Sequence, residues 1–225
     1  LIDWNPRHLY RKLFQREDAM EEFLAEVCTG GWNAEQDRGR PFAEATAMLV
    51  ERHPHHEAMI EAFFARWTEM LNGPIHGTVA ILETLHERRV PLYALTNWSA
   101  ETWRLARPLF PFLDRFRGIL VSGEVGLIKP DPAIYRRLSD DFAIQPCQAV
   151  FIDDSLANVQ AAAACGFHAH HFRGPEVLRD WLSGHRLLES AGADGAVAAA
   201  PLGVVGRGVG AQEAPLEGGK SQHGR

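Results

Sequence analysis

The sequence predicts an α/β protein: a parallel sheet covered by helices, preceded by a separate helical segment. Two observations predict it. From residue 90 onward, short apolar runs alternate with amphipathic stretches, and that alternation argues for parallel strands joined by right-handed crossovers. Before residue 90 the apolar period is that of a helix nearly throughout. The chain has 225 residues, 46% hydrophobic and 23% charged, enough for an ordinary buried core.

The elements follow in order. REDAMEEFLAEVC (16–28) sets Met20, Phe23, Leu24 and Val27 on one helical face and stops at Gly30-Gly31. PFAEATAMLVERH (41–53) keeps the helical period. HEAMIEAFFARWTEMLNG (56–73) reads as one helix with a wide stripe of Met59, Ile60, Phe63, Phe64, Trp67 and Leu71, halted by Gly73 and Pro74. GTVAILETLHERR (77–89) is a further helix whose basic end suits its dipole.

PLYALT (91–96) is a buried strand, and SAETWRLARPLF (99–110) a helix with Ser99 as N-cap. FRGILVS (116–122) is a strand. DPAIYRRLSDDF (131–142) is a helix capped by Asp131 with Pro132 at its first position. AVFID (149–153) is a strand, SLANVQAAAACG (155–166) a helix closed by Gly166, FHAHHF (167–172) a strand and PEVLRDWL (175–182) a last helix. The remainder, 186–225, is rich in Gly, Ala and Pro without an apolar period, and reads as a disordered tail.

Composition excludes several functions. A net charge of −6 carries no electrostatic footprint for nucleic acid. No apolar run approaches the roughly 18 residues of a membrane span. Three scattered cysteines, Cys28, Cys147 and Cys165, suit buried thiols in a reducing, cytoplasmic setting. The histidine groups HPHH (His53, His55, His56) and HAHH (His168, His170, His171) lack nearby ligands to complete a tetrahedral zinc set and read as solvated or internally satisfied.

Ligands of open parallel sheets bind at the carboxyl ends of the strands. Three polar signals fall there: Thr96-Asn97, the KPDP stretch at Lys129, and the acid pair Asp153-Asp154. Singly each has a local explanation, as a strand-end turn, a helix start and acids at a helix N-terminus. Together they suit phosphate chemistry. Two carboxylates hold a hard cation such as Mg²⁺, a lysine supplies point charge to phosphoryl oxygens, and a hydroxyl donates to another oxygen. Receiver domains use similar residues, but with the acids first and the lysine last.

LTNWS (95–99), GLIKPDPAIY (126–135) and VFIDDSLANVQAA (150–162) resemble the second, third and fourth motifs of the haloacid dehalogenase-like hydrolases. The resemblance implies a Rossmann-like core (1–10 and 90–185) and a small α-helical cap (11–89), as in the subfamily whose cap follows the first strand. It implies that Thr96 binds the phosphoryl oxygen, that Lys129 steadies the transferring group, and that Asn97 and Trp98 lie near the substrate. Asp153 and Asp154 would hold Mg²⁺, with Asn158 supporting their loop.

The family's nucleophile is an aspartate at the end of the first, central strand. Only Leu1 and Ile2 precede Asp3, too few for a strand, so the first motif and that strand are expected to lie ahead of Leu1. On this reading the sequence belongs to a phosphatase acting on a small phosphorylated metabolite, and as it stands would lack its covalent nucleophile and activity. The alternatives are a metal-free 2-haloacid dehalogenase, or a non-enzymatic binding module if Leu1 is the native start.

Overall fold

The computed structural model describes residues 1–188 and 203–206. In chain order the elements are β1 (Ile2–Trp4), α1 (Arg7–Tyr10), α2 (Glu17–Glu26), α3 (Gly30–Asp37), α4 (Phe42–Arg52), α5 (Glu57–Ala65), β2 (Leu71–Pro74), α6 (His76–Glu87), β3 (Leu92–Thr96) and α7 (Ala100–Ala106). They continue with β4 (Gly118–Val121), α8 (Ser122–Val125), α9 (Pro132–Phe142), β5 (Ala149–Asp153), α10 (Leu156–Ala164), β6 (His168–His171), α11 (Pro175–Gly184) and β7 (Gly203–Gly206). Among the described residues, no helix is long and apolar enough to cross a membrane.

The core is a five-stranded sheet in the order β4-β3-β7-β5-β6, with every pair parallel. β5 shows why these runs become strands. All five of its residues are buried, and they alternate between two apolar clusters. Val150 and Ile152 face the cluster shared with the helical segment, whereas Ala149 and Phe151 face Tyr135, Leu138 and Phe167 on the other side. A strand covered on both faces needs a continuous apolar run, which AVFID supplies. α9 covers one face and carries the N-cap expected of it, the Asp131 carboxylate accepting from the Ala133 N–H at 2.8 Å.

The helical segment departs from expectation at two places. Gly30-Gly31 does not end a helix, since α2 already stops at Glu26; α3 starts there instead, capped by Thr29, whose Oγ1 accepts from Trp32 N at 3.0 Å. The stretch 56–73 is not one helix. α5 ends at Ala65, a 3₁₀ turn spans Trp67–Met70, and Leu71–Pro74 becomes β2, antiparallel to β1. This two-stranded ribbon pairs Ile2 with Pro74 and Asp3 with Gly73, and it joins the helical segment to the core.

The centre of the sheet is occupied. β7, from the tail expected to be irregular from residue 186 on, lies between β3 and β5, with Val205 level with Tyr93 on one side and Phe151 on the other. Residues 189–202 and 207–225 of that tail lie outside the described residues. A strand inserted there satisfies backbone donors and acceptors along both neighbours.

Proline at a central strand position removes a ladder donor and is not accommodated. Val205→Pro is therefore expected to destabilise the protein by about 2–3 kcal/mol, lowering Tm by roughly 5–10 °C in a chain of this size. Thermal unfolding followed by circular dichroism checks this; an unchanged Tm would show that β7 contributes nothing to the sheet.

Candidate active site

Thr96 ends β3 and Asp153 ends β5, so both stand on the carboxyl rim of the sheet, and both are buried. Lys129, from the loop before α9, is buried between them. Its Nζ donates to the Leu95 carbonyl at 2.9 Å and to Asp153 Oδ2 at 2.7 Å, and both side chains of the ion pair are fully enclosed. Gly206 of β7 is level with Ala94 and Ile152, so Leu95 and Asp153 stand one residue higher. The ammonium thus bridges β3 and β5 at the level where the described part of β7 stops.

The loops around the lysine hold it in place. Asn97 makes a reciprocal pair with the Lys129 backbone: Nδ2 donates to Lys129 O at 3.0 Å, and Lys129 N donates to Oδ1 at 2.9 Å. The Lys129–Pro130 peptide is cis. The Trp98 N–H donates to Ser122 Oγ at 2.8 Å, and that hydroxyl donates to the Asp37 carbonyl at the end of α3, tying the rim to the helical segment. Gly123 permits this approach, because a Cβ there would stand 2.5 Å from Ala100 N.

The acid pair divides its work. Asp153 is enclosed: Oδ1 accepts from Ser155 N at 2.9 Å and from Asn158 Nδ2 at 3.0 Å, while Oδ2 takes the lysine. Asn158 is held from below by Tyr135, whose Oη donates to its carbonyl at 2.9 Å; burial pushes that phenol's pKa well up, so it remains a donor. Asp154 is exposed and lines a crevice of about 1020 Å³ together with Asn97, Trp98, Lys129 and Asn158. Asn33, Ala34 and Asp37 of α3 line it from the helical segment.

Five of the seven residues singled out from the sequence therefore line one crevice (Asn97, Trp98, Lys129, Asp154 and Asn158), and Asp153 is bonded directly to two of them. Thr96 lies one residue beyond the carbonyl that Lys129 grips. Asp3 is elsewhere, on the ribbon, accepting from Asn72 Nδ2 at 2.9 Å with His8 Nε2 at 3.3 Å.

Sequence reasoning missed His171. It lines the crevice, and its Nε2 donates to the Asp154 carbonyl at 2.9 Å. The available signal was register, since His171 ends β6 level with Asp153. The three histidines of the helical segment stand around a 3₁₀ turn at Pro54–His56. No three His, Cys, Asp or Glu side chains among the described residues are grouped to hold a metal ion.

A family model described as haloacid dehalogenase-like hydrolase matches residues 6–166. The chain is 31% identical over 112 residues to the sesquiterpene phosphatase AstK of Aspergillus oryzae, covering 50% of this chain and 57% of that protein. It is 34% identical over 101 residues to enolase-phosphatase E1 of Frankia alni, covering 43% and 42%. The chain thus spans about half the length of these curated relatives. A crystal structure of a HAD family enzyme from Bacteroides thetaiotaomicron superposes with a TM-score of 0.61 at 25% identity, covering 83% of this chain and 93% of that one.

Removing one partner of an enclosed ion pair strands the other charge, at a cost of about 3–5 kcal/mol. Lys129→Met is expected to lose about that much stability, and adding Asp153→Asn is expected to restore most of it. Chemical denaturation of the three proteins measures both; a loss below about 1 kcal/mol for Lys129→Met would contradict the enclosure of the pair.

Proposed function

The chain belongs to the haloacid dehalogenase-like hydrolases, and we propose that it acts on a small phosphate monoester in the presence of Mg²⁺. The observation that carries this reading is the division of the acid pair: Asp153 is locked to Lys129 while Asp154 faces the crevice. A metal-free dehalogenase has little use for a second carboxylate presented to its substrate. A cation-assisted phosphatase needs one.

The donors at this end of the crevice suit a hard cation, which takes one or two carboxylates and keeps several waters. Asp154 would hold Mg²⁺ directly. Asp153, whose oxygens already accept from Lys129, Ser155 and Asn158, would reach it through water. When bound, the ion supplies neutralisation of phosphoryl charge. Lys129 adds a fixed positive charge at the same place, without reorganisation, because the Asn97 bonds and the Leu95 carbonyl already hold it. The Thr96 hydroxyl donates to a phosphoryl oxygen, and Asn97 and Trp98 border the substrate. Asn158 fixes the orientation of Asp153.

In this reading residues 11–89 are the cap, which supplies the outer wall of the crevice, and residues 1–10 and 90–185 are the hydrolase core. Relatives bearing phosphatase names support the reaction class, and the Bacteroides enzyme is also known as a magnesium complex, at TM-score 0.62 and 23% identity over 83% of this chain and 93% of that one. Of the three cysteines expected to be buried, only Cys28 is, burial pushing its pKa up to about 12, whereas Cys165 is half-buried and Cys147 exposed; all three are free thiols, which suits a reducing, cytoplasmic setting.

One observation favours a second, non-catalytic reading. The strand in the central slot, Gly203–Gly206, itself contains no acid. With that strand in place the described residues provide stabilisers for an anion and a cation, and the chain would act as a phosphate-binding module.

The test is release of phosphate from p-nitrophenyl phosphate with and without Mg²⁺, beside release of chloride from 2-chloropropionate. Mg²⁺-dependent phosphate release supports the proposal, and Asp154→Asn is then expected to lower turnover by roughly 10²-fold. Chloride release without metal would overturn the phosphatase reading. Phosphate binding without turnover of either compound would establish the binding module instead.

A further inference from the structure

One face of α3 is turned to the crevice. Gly30, Asn33, Ala34 and Asp37 all line it, at the i, i+3, i+4, i+7 spacing of a single helical face. The opposite face packs into the helical segment. Trp32 meets the Phe63 ring edge-on at 4.9 Å, and the enclosed Gln36 donates to Trp32 O at 2.6 Å. The polar side chains on the crevice face are therefore Asn33 and Asp37.

The two are in contact, Asn33 Nδ2 donating to Asp37 Oδ2 at 3.4 Å. An ionised carboxylate only accepts, so this bond fixes which way the amide is turned. Asn33 Oδ1 is the atom left over, and it accepts no hydrogen bond among the described residues. The enclosed side-chain atoms that lack a partner are on Trp4, His8, Thr78, His170 and His171, so this oxygen is open to solvent.

The Ser122 hydroxyl sets how far this wall stands from the rim. It takes the Trp98 N–H and donates to the Asp37 carbonyl at 2.6 Å, so the two backbones are one hydroxyl apart. Asn33 stands one turn back along the helix, about 6 Å from Asp37.

We propose that Asn33, with Asp37 beside it, is a specificity-determining acceptor, and that the preferred ligand is a phosphate monoester whose short organic part bears a protonated amine. An ammonium has donors and no acceptor, which matches an open amide oxygen next to a negative charge. A linker of roughly two or three carbons, with bonds near 1.5 Å, fits the span of one helical turn. This rests on the phosphate reading of the crevice, with the phosphate taken at the rim by Lys129 and Asp154.

Calorimetric titration of the full chain with Mg²⁺ tests it, with kcat/KM compared in place of affinity where turnover occurs. The ligands are inorganic phosphate and three phosphates of matched size: 2-aminoethyl, 2-hydroxyethyl and propyl phosphate. The amine is expected to bind about tenfold more tightly than the propyl ligand, and about threefold more tightly than the hydroxyl. In Asn33→Leu, which keeps the volume without the acceptor, the amine advantage over propyl falls to about twofold or less. In Asp37→Asn, which keeps the shape without the charge, the amine and the hydroxyl become about equal.

Equal affinity for the amine and propyl ligands in the unaltered chain would overturn the acceptor wall. A hydroxyl that binds as tightly as the amine there would overturn the cationic class. An amine advantage that survives Asn33→Leu would remove Asn33 from the site, and one that survives Asp37→Asn would remove the charge. Each comparison is between ligands on one protein, so a general loss of stability in a variant would not produce these patterns. Failure of inorganic phosphate to bind at all would instead remove the phosphate reading, and this inference with it.

Discussion

A lysine ammonium and an aspartate carboxylate, both shut away from water, meet at 2.7 Å on the rim of the sheet. Enclosing two charges is expensive, and their attraction compensates only when the geometry is good and the remaining lone pairs and protons find partners. Here they do. The second carboxylate oxygen takes two N–H donors, and the ammonium also reaches a strand carbonyl. The pair therefore demands that β3, β5, the loop at 126–131 and the first turn of α10 all arrive in one place. Little else in the molecule constrains so many elements with so few atoms.

That constraint explains the two adjacent acids. Like charges side by side would raise each other's pKa unless something cationic intervened. Strand geometry turns them apart: Asp153, the last residue of β5, points into the enclosed pair, while Asp154 faces the crevice. One acid becomes part of the scaffold, and the other stands at the crevice wall. The backbone carbonyl of Asp154 accepts from His171 Nε2, which steadies the residue.

The helical segment completes the crevice. α3 brings Asn33, Ala34 and Asp37 to its edge, and the Ser122 hydroxyl joins the α3 terminus to the rim. A second tie runs from the Phe42 N–H at the start of α4 to Glu101 Oε1 on α7, at 2.8 Å.

Much of this was legible in the sequence. The apolar runs of β3 and β5, the Asp131-Pro132 start of α9, and the polar signals at Thr96, Lys129 and Asp153-Asp154 are local patterns, and local patterns survive without tertiary context. The order of the three signals pointed to the family, and alternation pointed to the parallel sheet. Tertiary structure alone decided the rest. β1 and β2 are too short to announce themselves and exist because they pair across some seventy residues. The Trp67–Met70 break interrupts an apolar stripe that on its own suits a continuous helix. A four-residue Gly-Val-Val-Gly strand gains its place at the sheet centre only because β3 and β5 present unfilled edges on both sides. Which acid turns inward, and which face of α3 meets the crevice, depend on neighbours distant in the chain. Residue type and spacing determine what chemistry a segment can offer, while long-range pairing determines which atoms are left to offer it.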